Sequence, residues 1–212
     1  KNPQEYLKDL LNRYPALKEC KDDIQKAYGA IVSCYENKGK LLIGGNGGSG
    51  ADAGHMVGEL MKGFLSKRQL PNELQQKLIE SHSKLGAEMA KNLQGALPAI
   101  DLTVHNALIT AFSNDVDGDL IYAQQILGYG KPGDVFIGIS TSGNAKNILY
   151  GFSAARALGL NTVGLTGESG GDMKNIAEIT IRVPANTTPL IQELHLPVYH
   201  TLCAMVESYF FN

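Results

Sequence analysis

The 212-residue sequence predicts an α/β fold: a three-layer sandwich of helices around a parallel β-sheet, formed as a single domain over residues 1–212. Two observations carry this. Five short runs rich in Val, Ile and Leu ("KLLIGG", "AIDLTV", "DVFIGIS", "NTVGLTG" and "EITIRVP") recur along the chain, and strands buried on both faces read as such near-continuous apolar runs. Segments of helical periodicity separate them, and strand–helix alternation is the pattern of a parallel sheet covered on both sides.

Composition agrees with a folded domain. Hydrophobic residues make up 43% and charged residues 19%, a balance at which one core can form. The net charge is −2, so electrostatics gives no reason to expect a nucleic-acid or anionic-membrane partner. No apolar stretch reaches the roughly 20 residues that cross a bilayer, and the chain opens without a signal-peptide apolar region. Cys20, Cys34 and Cys203 are odd in number and form no C-x-x-C pair. They are expected to be reduced and structural, which suits the cytoplasm.

Taken in order, residues 3–14 and 16–37 predict two N-terminal helices, with Gly29 the one internal breaker. "GKLLIGG" is a strand, and a helix follows over 50–65. Residues 71–98 are polar and helical, an insertion expected to leave the core. Leu74, Leu78, Leu85 and Met89 would form its apolar stripe toward the body, as a lid, an oligomer contact or ordinary helix packing. Further helices are expected at 104–112, 118–129, 144–158, and from about 189 to the end.

The chemistry concentrates in the loops. "GGNGGSG", residues 44–50, contains G-x-G-x-x-G between a strand and a helix. A dinucleotide site would need a second strand ending in Asp or Glu about 20 residues on. The chain instead runs into "KGFLSKRQLPNELQQ", which has no apolar strand and no such acid, and Lys67 and Arg68 lack a strand to aim them at a 2′-phosphate. No Gly-Lys-Ser/Thr closes the loop, which excludes a phosphate-loop NTPase. What remains is a glycine turn opening a helix, whose amides and dipole favour an anion; a tight turn without ligand is the plainer alternative. "ISTSGNAKN" repeats the arrangement after the third strand. Ser140, Thr141 and Ser142 converge on a helix N-terminus and would cradle a phosphomonoester, whereas a simple helix cap needs one such residue. Two anion loops at the carboxyl ends of parallel strands define a crevice.

These loops together resemble the sugar isomerase (SIS) domain family. "GNGGS", "DA-x-H-x-x-x-EL" over Asp52–Leu60, "SND", "GISTSGN-x-x-N" and "IQE-x-H-x-x-V-x-H" resemble its aldose–ketose isomerases of seven-carbon sugar phosphates, over roughly 30–65 and 104–210. The insertion lies outside the resemblance.

The resemblance implies metal ligands at His55, Glu59, Gln192 and His200, with zinc the expected ion at one per subunit. It implies Glu59 as the first base and His200 as the partner acid–base in an enediolate mechanism. Substrate contacts fall on Asn46, Gly47, Gly48, Asn114, Asp115, Ser140, Thr141 and Ser142, with Ser49 an extra hydroxyl donor and with Glu59 and Gln192 facing the same substrate. It further implies a homo-oligomer, a tetramer with active sites between subunits. His55 and Glu59 lie one turn apart on one helix face. Positions 192 and 200 are roughly 80° out of line on an ideal helix, so either Pro197 bends it or ligands come from different subunits. A residue bound to zinc is a poor base at that moment; either the metal exchanges ligands or one assignment fails.

Three positions depart from the family pattern. Ala145 replaces a phosphate-loop serine, Pro189 an acid, and Gly63, beside Lys62, an arginine. Each bears on substrate grip more than on the reacting centre. A regulator of this fold without isomerase activity lacks the acid and the final histidine, both present here as Glu59 and His200; a sugar-phosphate-sensing or etherase member is another alternative. His195 reads as a packing residue or as one that supports the site's ligands from behind, and His82 and His105 as solvated or structural.

Overall fold

The computed structural model describes residues 1–211. The chain opens with α1 (Pro3–Arg13), started by a capping box in which Asn2 and Glu5 satisfy each other's backbone amides. Pro15 then forces a single 3₁₀ stretch, Pro15–Cys20, before α2 (Lys21–Glu36). The second helix is therefore shorter than its periodicity predicts.

Five strands follow, interleaved with helices: β1 (Leu41–Gly45), α3 (Gly48–Met61), α4 (Asn72–Ser81), α5 (Ser83–Asn92), β2 (Ala99–Asp101), α6 (Asn106–Phe112), α7 (Ile121–Tyr129), β3 (Val135–Ile139), α8 (Lys146–Ala157), β4 (Asn161–Thr166), α9 (Met173–Ile176), β5 (Ile179–Arg182) and α10 (Thr188–Phe211). The sheet is parallel throughout, in the order β2-β1-β3-β4-β5. Successive strand residues point to opposite faces. Leu41, Ile43, Val135, Ile137 and Ile139 join the core under α1, α2, α3 and α10, while Leu42 and Phe136 join the core under α7 and α8. Helices on both faces make the three layers.

Register aligns Gly44, Gly138 and Gly164 across β1, β3 and β4. A Cβ on Gly138 would sit 2.6 Å from Phe152 Cζ and one on Gly164 2.4 Å from Met173 Sδ. The row of glycines lets α8 and α9 settle directly on the backbone.

Three expectations are corrected. The helix predicted over 50–65 begins at Gly48 and stops at Met61, because Arg68 turns back to take the carbonyls of Glu59 and Leu60. The insertion is two helices broken at His82, whose backbone is extended and whose imidazole caps α5 by accepting the Leu85 amide. α4 and α5 pack chiefly on one another, and Leu74, Leu85 and Met89 stay exposed, so the predicted stripe does not face the body. Among the described residues no helix is long and apolar enough to cross a membrane. The three cysteines are free and buried, and burial pushes Cys20 and Cys34 up to about 11 and Cys203 to about 12.

Candidate active site

The reactive cluster lies where α3 and α10 run side by side. His55 and Glu59 project from one face of α3, with His55 Nε2 3.2 Å from Glu59 Oε1. From α10, His200 brings its Nε2 to 3.3 Å from the same His55 nitrogen. His55 is thus the hub of a row running His200–His55–Glu59. The other Glu59 oxygen, Oε2, takes Lys62 Nζ at 3.1 Å, so a cation stands beside the carboxylate although position 63 is glycine. Phe64 covers His200 with ring centroids 5.4 Å apart, and Tyr6 and Arg13 of α1 line the cavity beside it. Burial pushes the His200 pKa down, helped by His55 and Arg13 and opposed by Glu59, so the imidazole is neutral near pH 7.

Behind His55 stand two residues the sequence reading missed as functional. Tyr199 OH lies 3.0 Å from His55 Nδ1 and donates to Asp52 Oδ1 at 3.0 Å. Burial raises the Asp52 pKa, against the lowering effect of Tyr199 and His55.

Arg68 and Glu207 are fully buried partners, Nε to Oε1 at 2.8 Å. Glu207 also accepts the amides of Phe64, Leu65 and Ser66. Arg68 therefore holds the end of α3 and has no role toward an external anion.

Gln192 is elsewhere. A Cβ on Gly48 would meet its amide nitrogen at 2.5 Å, which places Gln192 at the beginning of α3. That is seven residues before His55, about 10 Å along a helix axis. The four-ligand set implied by the resemblance is therefore not assembled inside one subunit, since Gln192 and His200 lie about 12 Å apart along α10, which runs unbroken through Pro197.

The donor types that do meet, two imidazoles and a carboxylate, suit zinc. Their separations of 3.2 and 3.3 Å match the roughly 3.3 Å between neighbouring ligands of a tetrahedral zinc shell. As posed they form a row of close contacts, and among the described residues no three His, Cys, Asp or Glu side chains already surround one point.

The first glycine loop holds Gly47 at φ +54 as the residue before α3. Asn46 exchanges two hydrogen bonds with Asn147 at the start of α8, at 2.8 and 2.9 Å, which ties the two loops together; Asn147 belongs to the "STSGN-x-x-N" motif but was not singled out. Ser49 is buried in the loop wall.

The second loop packs Gly143, φ +69, so closely on Gly170 that only glycine fits. Ser140 is buried, while Thr141 and Ser142 line a cavity of about 280 Å³ with Asn144, Glu168, Asn186 and Thr188. No side chain caps α8, whose N-cap position is Ala145, so its first amides point toward that loop unclaimed. Pro189 sits in the first turn of α10, where a missing N–H costs little.

Asn114 and Asp115 lie on the exposed π-turn Ser113–Asp117, bonded to each other at 2.9 Å, and neither lines the cavity at either loop. His195 is fully buried and its Nε2 donates to the Thr166 carbonyl at 3.2 Å, the packing role expected of it. His82 and His105 are exposed.

Comparison with known proteins now has a geometry to meet. The SIS domain family pattern matches residues 80–167. The chain is 36% identical to a phosphoheptose isomerase of Rhodospirillum rubrum over 91% of its own length and 88% of the relative's. It is 37% identical to one of Citrifermentans bemidjiense over 89% and 84%. Among solved structures it is similar to a phosphoheptose isomerase from Francisella tularensis, with TM-score 0.73 and 31% identity over 96% of this chain and 95% of that one. A phosphoheptose isomerase from Neisseria gonorrhoeae gives TM-score 0.72 and 29% identity over 92% of each chain.

Proposed function

The chain belongs to the phosphoheptose isomerases of the SIS domain family and is a sugar-phosphate isomerase, and from that premise we propose that it interconverts sedoheptulose 7-phosphate and D-glycero-D-manno-heptose 7-phosphate. The observation that carries the mechanism is the meeting of Glu59 and His200 at His55, from helices more than a hundred residues apart in sequence. Aldose–ketose exchange needs a base for the proton on the carbon beside the carbonyl, and a partner that moves a proton between the two oxygens. Glu59 removes the carbon-bound proton. His200, neutral near pH 7, serves the oxygens, and the proton returns to the neighbouring carbon. The uncapped start of α8, with Thr141 and Ser142, supports a grip on the distal phosphate.

Zinc belongs to this proposal, held by His55, Glu59 and His200, with Gln192 of a neighbouring subunit as the fourth ligand. When bound it supplies Lewis-acid stabilisation of the substrate oxygen that gains charge. The two Glu59 oxygens divide the work: Oε1 faces His55 and the ligand position, and Oε2 faces Lys62 and takes the proton. Gln192 lies against Gly48 at the start of α3, away from the acid–base pair, which supports a site completed between copies of the chain, in a homo-oligomer that we take to be a tetramer.

NMR assay of a panel of C5 to C7 sugar phosphates tests the reading. The C7 pair turns over, Glu59→Gln loses roughly 10²–10⁴ in kcat, and purified protein carries about one zinc per subunit, the occupancy of a single closed site. Wild-type turnover by Glu59→Gln would remove the mechanism.

A further inference from the structure

Two side chains that no step above uses form a line with His55 behind the reacting pair. Tyr199 OH stands 3.0 Å from Asp52 Oδ1 and 3.0 Å from His55 Nδ1. A phenol has one proton to donate and an oxygen that also accepts, whereas an ionised carboxylate only accepts. The Tyr199 proton therefore goes to Asp52, and its oxygen is left to accept from His55. We infer that Asp52 and Tyr199 fix the His55 proton on Nδ1 and so present its Nε2 bare toward Glu59 and His200. The inference rests on the isomerase reading and deepens it: both are positioning residues of that site.

The consequence is local and physical. With Nδ1 protonated, His55 Nε2 and Glu59 Oε1 are two acceptors held 3.2 Å apart, and acceptors at that distance repel unless a cation lies between them. His200 Nε2, 3.3 Å away, adds a second nitrogen at the same place. In the opposite tautomer, His55 would donate from Nε2 to Glu59 and close an ordinary one-turn helix pair. The line from Asp52 through Tyr199 converts that pair into a pocket of lone pairs suited to a metal ion. Ligating histidines elsewhere have the second nitrogen fixed in this manner; here a tyrosine from a different helix carries the contact to the carboxylate.

The surroundings are built to hold the line still. Tyr199 is fully buried apart from its hydroxyl contacts, and its ring stands edge-on to both imidazoles, with centroids 5.6 Å from His55 and 5.1 Å from His200. Asp52 Oδ2 is buried with no hydrogen-bond partner, so among the described residues Tyr199 is the one group that orients the carboxylate. Asp52 and His55 lie on α3, Tyr199 and His200 on α10. The contact therefore also fixes how the two helices present their ligands.

The test uses the full chain with ¹⁵N-labelled histidine, stripped of metal. Long-range ¹H–¹⁵N spectra at neutral pH are expected to show His55 protonated at Nδ1 and bare at Nε2. Tyr199→Phe keeps the ring packing and is expected to move His55 to the Nε2–H form or a mixture; Asp52→Asn is expected to do the same. Zinc affinity should fall roughly 10- to 100-fold in each, the usual cost of losing such a support. A wild-type His55 protonated at Nε2, or at both nitrogens, overturns the inference. So does a Tyr199→Phe protein, folded by circular dichroism, whose His55 keeps the Nδ1 proton. The spectra need no turnover, so a chain inactive on every sugar phosphate would sink the isomerase reading while leaving this result to stand or fall separately.

Discussion

At the scale of single residues, the two histidines of α10 nearest its middle have opposite fates set by burial and partners. His200 keeps an open side toward a cavity, while His195 is sealed between α10 and β4 with Nδ1 left without a partner. Burial lowers the His195 pKa to about 4 from an ordinary 6.5, so the fold holds the neutral ring and the unfolded chain holds the proton between those values. Stability contributed by this residue is complete above pH 6.5 and is lost as pH falls toward 4, at about 1.4 kcal/mol per unit. The expected outcome is that the stability advantage of wild type over His195→Gln, measured by denaturant unfolding, shrinks by about 2 kcal/mol between pH 6.5 and 5. An advantage independent of pH would mean that His195 is protonated, or exposed, in the folded protein.

At the scale of elements, α3 ends where a buried ion pair tells it to. Arg68 donates to the carbonyls of Glu59 and Leu60, and Glu207 gathers Arg68 together with three loop amides. The Glu59 carboxylate proposed as the base thus sits on the last turn of a helix whose end is fixed by α10. Glu207→Ala would leave a guanidinium and three amides buried without an acceptor, and should cost about 3–5 kcal/mol with kcat falling alongside; a loss under 1 kcal/mol by thermal unfolding would show that water reaches the pair. None of this was legible in "KRQL", where Lys67 and Arg68 raise only the question of a 2′-phosphate, because the partner of Arg68 lies 139 positions away. The strands were legible for the opposite reason. Their pattern is local, and the Val- and Ile-rich runs landed on β1, β3, β4 and β5 within a residue or two, while β2 shortened to Ala99–Asp101 at the sheet edge. The loops were legible because glycines and hydroxyls cluster in sequence, and Asp52–Tyr199 was not, because a tyrosine within an apolar helix announces nothing until its hydroxyl finds a carboxylate.

At the scale of the whole molecule, the body and the 72–92 hairpin are held by different means. The strands are buried between two helical layers, with residues at zero exposure on both faces. α4 and α5 have Gly86 as their one fully buried residue, and a Cβ there would strike the Leu78 carbonyl carbon at 2.5 Å, so the two helices depend on this close crossing more than on the body. The predicted apolar stripe failed for that reason: a continuous helix would have aligned Leu74, Leu78, Leu85 and Met89, but the break at His82 turns α5 back on α4. Two ten-residue helices bury too little to be stable alone, and local opening should therefore cost far less here than in the sheet. Hydrogen exchange read by mass spectrometry is expected to show residues 72–92 exchanging at least roughly a hundredfold faster than β1 and β3. The contrast should persist in Glu59→Gln, because the hairpin shares no hydrogen bond with the reactive cluster. Protection of the hairpin equal to that of β3 would mean that another surface covers it in solution, and that its exposed leucines are an interface of the assembled enzyme.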